Sequence, residues 1–576
     1  MAAVGDEKPR VEHVERLEAV VSAPSVDDGD LADEKDVQIR TERTAGEAIV
    51  AQQTAIPLTG ERIPTSKLEY IVFAIFYFQN NGTPIGSQAG PLRQKLLSMA
   101  FPDSNKKAII PWGGTHMFLN SFILDSSGIL FAVTLVVMLV VGPYADYGTW
   151  RPYILMFGTA LCSAMTFGLI GVYKPSQWEL ANGMWIVGQL GYNISVSFYQ
   201  ATFPSIARNL PAVLRSEADV RAGLRTPEEH DIVDQYERAK LYNICNIVGS
   251  ALVVIFYGAA IGISYAITHN STADGVVIKA YRVLLGYFGG AIVVCCLPYF
   301  LIGKHRPGQQ VPDGVPIWQV GPRQAWSAAK AVVNLRNAVW YLIAYALLGE
   351  ASGTAGGITG TLQANVINFD PVQNSAFGLL ADVAGGLGTV FILFMHKRFK
   401  FSIKTLTRYG AIMTLIPQLW GAIGTWTHKI GFHNSWEFWV IQCWNFQTAA
   451  WGSYSITMIS EVVPAPKMYL FFALFATINR TSGFTGPFIS SAINERAHGN
   501  TNAAYWFCLG LGLLGIVFVW MVDPDQAKIE NAKYLEREAN EFYSHEQRQR
   551  QRETLEHELN ETGVVTAEKD AEKAAH

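Results

Sequence analysis

The sequence predicts an all-α membrane protein, a bundle of twelve transmembrane helices in two six-helix halves. Three observations carry this. About twelve apolar segments of crossing length follow one another, and a bilayer core needs roughly 20 apolar residues of helix to span it. A polar stretch at 303–334 divides them six and six. Hydrophobic residues make up 50% of the chain and charged ones only 16%, against about 25% charged in a soluble domain. Two matched halves around a midplane site are the plan of secondary transporters.

The elements follow in order. Residues 1–65 are hydrophilic and nearly free of aromatics, which predicts a disordered cytosolic tail. No apolar run precedes Tyr70, so the first span is expected to act as its own insertion signal. An N-terminal half at 66–302 holds spans near 69–97, 116–142, 152–173, 180–203, 239–266 and 281–302. A cytosolic linker at 303–334 leads to a second half at 335–522, with spans near 336–362, 374–395, 406–427, 436–460, 467–493 and 502–522. Residues 523–576 form a charged cytosolic tail, in which 528–557 could make an amphipathic helix. The first span is interrupted at Gln79-Asn80-Asn81-Gly82-Thr83-Pro84. Unwound backbone at membrane depth is tolerated only where it lines a cavity.

Lys and Arg set the orientation. With both tails cytosolic, the cytosolic loops carry eighteen of these residues and the opposite loops nine, Arg93 and Lys95 among the nine. The sequon Asn270-Ser271-Thr272 then faces the lumen or exterior, where Asn270 can be glycosylated. The six cysteines all fall in apolar segments and read as buried free thiols. No metal-ligand spacing, Walker loop or hydrolase motif occurs. No cofactor, metal or enzymatic activity is expected, and a net charge of −4 argues against a nucleic-acid partner.

Five spans carry candidate chemistry. After the second comes Gly142-Pro143-Tyr144-Ala145-Asp146-Tyr147-Gly148-Thr149-Trp150-Arg151, in which Asp146 and Arg151 can gate the cytosolic side; a tight charged turn is the competing reading. On span four, Gln189, Asn193 and Gln200 share one helical face. With Tyr192 this stripe suits either a wet cavity or helix–helix hydrogen bonding. Span eleven places Arg480 near mid-bilayer, where a guanidinium costs about 2.5–3.5 kcal/mol and needs a partner. That partner is a substrate carboxylate or Asp125 of span two. Span seven carries Glu350, a titratable or pairing group, and the small-xxx-small pairs Gly353/Gly357 and Gly356/Gly360, which predict close helix packing. Glu461, at the cytosolic end of span ten, reads as a gate residue.

The loop at 142–151 resembles the signature loop of the major facilitator superfamily, although Tyr147 stands where that loop has a basic residue. The runs Gly191-Tyr192-Asn193 and Phe198-Tyr199-Gln200-Ala201-Thr202-Phe203-Pro204, the segment from Tyr242 to Gly249, and Phe471-Phe472 through Asn479-Arg480, Ser482 and Gly486-Pro487 are more particular. Over roughly 65–525 they resemble the fungal autophagy-related vacuolar effluxers, a branch of that superfamily. The resemblance implies a major facilitator-type 6+6 bundle with pseudo-two-fold symmetry in the vacuole membrane. It implies release of leucine-like amino acids to the cytosol after autophagic breakdown, with protons as a possible coupling ion. It also adds Asn479 to Arg480 as a site residue.

The expected substrate-binding set is therefore Arg480, Asn479, Gln189, Tyr192, Asn193, Gln79 and Asn80. Asp125 and Glu350 are the expected coupling or ion-pair residues. The alternatives are a plasma-membrane exporter of a small metabolite and a non-transporting membrane sensor.

Overall fold

A computed structural model describes residues 63–80, 85–145, 149–306, 330–464 and 483–537, together with Trp326, Phe471, Leu474 and Phe475. Ile56–Tyr534 forms one compact unit. Asp146, Asn479 and Arg480 lie outside the described residues.

Span one is two helices, α1 (Lys67–Asn80) and α2 (Ala89–Ala100). Between α2 and the second span lies a hairpin of β1 (Ile110–Trp112) and β2 (Thr115–Met117), antiparallel with Trp112 opposite Thr115. Its two-residue turn is Gly113-Gly114, both at positive φ, which glycine adopts without a Cβ penalty. The rest of the first half is α3 (Leu119–Val141), α4 (Arg151–Gly168), α5 (Trp178–Arg208), the short α6 (Pro211–Arg221), α7 (Pro227–Thr268) and α8 (Asp274–Ile302). The second half holds α9 (Arg336–Val366), α10 (Pro371–Phe399), α11 (Ile403–Ile423), α12 (Ser435–Val462), α13 (Thr485–Arg496) and α14 (Ala504–Met521).

Among the described residues, six helices are long and apolar enough to cross a bilayer by length and composition. In α5, α9 and α12 the apolar run is broken by residues such as Gln189, Asn193, Glu350, Thr354, Gln442 and Gln447. These spans give up uniform apolarity because part of their surface meets other helices and the interior.

Span five is longer than its apolar core suggests. Its helix starts at Pro227, twelve residues before the expected 239, because Thr226 and Glu229 form a capping box with Pro227 in the first turn. Apolar periodicity reports only the membrane-embedded part of such a helix.

The pairing of helices repeats between the halves. Within the first half α4 packs on α5 and α8 packs on α1 and α4; within the second, α11 packs on α12 and α14 packs on α9 and α11. Across the halves α3 meets α13, and its counterpart α10 meets α7. This is the arrangement of two six-helix units related by a pseudo-two-fold axis.

Close helix approach occurs at glycines other than those expected on span seven. Gly158 of α4 and Gly191 of α5 face each other so closely that a Cβ on either would come within 2.9 Å of the other's backbone oxygen. Gly388 abuts the Phe446 backbone and Gly410 the Trp451 backbone, which seats α10 and α11 on α12. Gly353, Gly356, Gly357 and Gly360 instead form an exposed face of α9, and a Cβ on any of them would meet nothing within 4 Å. Five of the six cysteines are buried and free; Cys443 on α12 is exposed.

Candidate functional site

The break in span one gathers one group of expected site residues. Asn80, the last residue of α1, accepts at its backbone oxygen from the Tyr192 hydroxyl at 3.2 Å. Its side-chain oxygen accepts from Gln200 Nε2 at 3.4 Å. Asn193, on the same side of α5, donates from Nδ2 to Thr134 Oγ1 of α3 at 3.3 Å. The polar stripe of span four therefore meets both the broken helix and the second span. Gln189 Oε1, one turn toward the start of α5, is buried without a hydrogen-bond partner. Gln79 turns away from this group. It is buried, and its Oε1 accepts from the Cys296 thiol of α8 at 2.9 Å.

Glu350 and Asp125 flank α13, the described part of span eleven. Glu350 Oε1 accepts from the Gly486 backbone N–H at 2.6 Å and from Thr354 Oγ1 at 3.2 Å, while Oε2 is buried without a partner. A carboxylate there sits at the positive end of the α13 dipole. Asp125 lies near Ser491 and Glu495 of α13 and Trp112 of β1. One turn on, a Cβ at Gly128 would come within 2.9 Å of the Phe488 ring, so α3 and α13 run close together. Both carboxylates thus border α13.

Of the expected gate residues, Arg151 and Glu461 are described, and each has a contact that does not cross between the halves. Arg151 Nη1 donates to the Ala201 carbonyl of α5 at 3.0 Å. Glu461 lies 4.0 Å from Lys528, in a helix over 524–534 that packs under the second half. In that helix Glu530 accepts from the Asn337 backbone N–H at 3.0 Å, capping the start of α9. Asn270 is exposed, at φ 61° in the turn between α7 and α8, where a glycan can be attached.

Hydrogen bonds that join the halves gather at the opposite end. Gln94 Nε2 of α2 donates to the Thr361 carbonyl at 3.2 Å and to Asn365 Oδ1 at 3.1 Å, both on α9. Asn365 Nδ2 donates to Asn120 Oδ1 at 3.0 Å, and Asn120 Nδ2 donates to Thr501 Oγ1 at 2.8 Å. Asn494 Nδ2 donates to Ser121 Oγ at 2.7 Å, and Asn374 Nδ2 to the Ser87 carbonyl at 2.9 Å. The Phe118 N–H donates to Glu495 Oε1 at 2.8 Å. This latch is made almost wholly of neutral amides and hydroxyls, at the end of the bundle that the Lys/Arg bias assigns to the lumen.

Sequence reading missed the latch and three charged groups. Arg93 and Lys95, counted as loop charges, are buried in α2. Lys95 pairs with Asp274 at 2.7 Å, and Arg93 stacks on Trp185 with its guanidinium carbon 3.5 Å from the ring centroid. Arg306, assigned to the linker, returns to α1 and makes a two-pronged ion pair with Glu69 at 2.6 and 2.7 Å. The spacing Leu92–Leu96–Leu97, apolar residues four and five apart, was the available signal that 89–100 is a helix.

Comparison with known proteins agrees with this geometry. The family model described as "Vacuole effluxer Atg22 like" matches residues 72–532. Autophagy-related protein 22-2 of Sclerotinia sclerotiorum is 22% identical over 511 residues, covering 79% of this chain and 75% of that protein. Autophagy-related protein 22 of Coccidioides immitis is 24% identical over 463 residues, covering 73% and 75%. Among solved structures, a D-xylose-proton symporter superposes with a TM-score of 0.50 at 13% identity, over 79% of this chain and 97% of that one. That likeness is one of fold, the major facilitator bundle. A secondary transporter rather than an enzyme, the chain belongs to the vacuole effluxer Atg22-like family.

Proposed function

We propose that this transporter moves amino acids with leucine-like side chains from the vacuole lumen to the cytosol after autophagic breakdown, by alternating access. The latch between α2, α3, α9 and α13 carries the reading, because it shuts the luminal end by bonds that a rocking motion of one half can break. Behind it lie Asn80, Tyr192 and Gln200 at the helix break, and the open glycine face of α9. Exposed polar groups and bare backbone suit a small zwitterion and water better than lipid.

In this reading Arg480, with Asn479, binds the substrate carboxylate as a bidentate partner. Gln189, Tyr192, Asn193 and Asn80 line the path, and Gln79, turned toward Cys296, holds the end of α1 against α8. Asp125 and Glu350, on either side of α13, couple transport to protons. Asp146, Arg151 and Glu461 close the cytosolic side, and Asn270 carries a glycan.

The test is uptake by the purified full chain in liposomes, against an amino-acid panel, with and without a pH gradient. Wild-type protein should move leucine, and Arg480→Ala should abolish its transport while inserting normally. Undiminished transport by a normally folded Arg480→Ala variant removes Arg480 from the site. No flux of any amino acid by the wild type defeats the reading itself.

A further inference from the structure

Arg93 lies in α2, the luminal half of span one, and is 4% exposed. A guanidinium stays charged, and a buried charge demands a counter-ion or a full set of hydrogen bonds. Arg93 has neither. Its Nη1 donates to Asn182 Oδ1 at 2.6 Å, its plane lies over Trp185, and its Nε is buried without a partner. Among the described residues it joins no ion pair, while Lys95, two residues on, is matched by Asp274.

The facing surface of α5 is equally unfinished. Asn182, Trp185 and Gln189 stand at positions i, i+3 and i+7, on one side of the helix. Trp185 Nε1 and Gln189 Oε1 are buried without partners. Three unused polar atoms, Arg93 Nε, Trp185 Nε1 and Gln189 Oε1, thus belong to residues of the α2–α5 seam. Two are N–H donors on planar groups, the complement of a carboxylate's two oxygens. The same face of α5 continues to Tyr192 and Asn193, the group at the helix break.

We propose that Arg93, with Trp185 and Asn182, forms a carboxylate-binding site at the luminal end of this seam, separate from Arg480. Its ligand class is a small monocarboxylate; that the ligand is an amino acid rests on the function proposed above. Gln94, the next residue, holds the latch to Thr361 and Asn365. Breaking the latch frees α2, which opens the Arg93 site to the lumen. Closing it shuts the captured carboxylate inside.

Thermal stabilisation of the purified full chain tests this, using leucine, 4-methylpentanoate (leucine's skeleton with only the acid) and 3-methylbutylamine (only the amine). The wild type should respond to 4-methylpentanoate and not to the amine. Arg93→Gln should raise the half-saturating concentration of 4-methylpentanoate at least fivefold, and Arg93→Lys should recover part of the loss. A smaller change in Arg93→Gln, or no response of the wild type to 4-methylpentanoate, overturns the site. Asn182→Asp covers the case in which Arg93→Gln does not fold. It supplies an internal carboxylate, so it should raise the melting temperature without ligand and cancel the response; an undiminished response overturns the proposal. If 4-methylpentanoate binds through Arg93 and leucine does not bind, the site stands and the amino-acid reading fails.

Discussion

Gly486 and Gly357 would answer an added methyl group in opposite ways. A Cβ on Gly486 would overlap Thr354 Oγ1 and Glu350 Oε1, the groups that hold the start of α13 against α9. A Cβ on Gly357 would meet nothing. Gly486→Ala is therefore expected to lower the melting temperature, at a cost of about 1–3 kcal/mol for overpacking. Gly357→Ala is expected to leave it unchanged or raise it by the equivalent of about 0.4–1 kcal/mol, since alanine is the better helix former. Melting of the two purified variants in one detergent checks this; equal losses would mean that the α9 glycines are packed after all. The sequence marked Gly357 for close packing, and gave Gly486 only as part of the Gly486-Pro487 run, because small-xxx-small spacing records what a helix permits. Which neighbour comes close is decided elsewhere in the chain.

At the scale of the element, the ends of helices are fastened by buried carboxylates. Glu69 is fully buried and meets Arg306 with both oxygens, while Arg306 also donates from Nε to the Ile63 carbonyl at 3.0 Å and from Nη2 to Thr65 Oγ1 at 3.0 Å. The segment leaving α8 is thereby tied to the start of α1. Glu69→Gln should cost about 3–5 kcal/mol, because it leaves the Arg306 charge buried and unmatched. Melting measured for Glu69→Gln, Arg306→Met and the double variant separates the pair from its desolvation: the double variant should be closer to wild type than either single one. Equal effects of all three would mean that the pair is not coupled. At the start of α12 Glu437 plays a similar part. It accepts from the backbone N–H groups of Gly431, Phe432, His433 and Asn434 and from the Trp420 indole, fixing the turn between α11 and α12. Local sequence announced the capping box at Thr226 only to the extent that cap and partner sit three residues apart. It could not announce Glu69 with Arg306, which are brought together by the path of the six spans of the first half.

At the scale of the whole molecule, the latch sets which end is shut. Interhelical hydrogen bonds in membranes average about 0.6 kcal/mol. Asn120→Ala with Asn365→Ala removes the bonds Asn120–Thr501, Asn365–Asn120 and Gln94–Asn365. The loss of about 2 kcal/mol should shift the equilibrium toward the lumen-open state by up to about thirtyfold. A cysteine at Gly357, in a chain whose native cysteines are replaced by alanine, reports this through its reaction with an impermeant maleimide added on the cytosolic side. Labelling should slow in the double variant; an unchanged rate would mean that these bonds do not hold the luminal end. The latch contains mainly amides and hydroxyls, so its bonds persist in an acidic lumen. Glu495 is the one carboxylate among the latch bonds described.

The order of spans, the broken first helix and the polar face of α5 were legible because each is written in a local pattern. Bilayer thickness sets the length of an apolar run, the helical repeat sets its face, and loop charge sets its direction. The sequence by itself therefore determined the two-half bundle of a secondary transporter. The tertiary structure alone decided which polar residues find partners. Asn120 and Asn365 were unremarkable in their own segments and became a latch. Arg93 looked like a loop charge and became a buried cation on Trp185. The physical reason is that hydrogen bonds and ion pairs act over about 3 Å, and residues hundreds of positions apart come within that distance only when the helices pack.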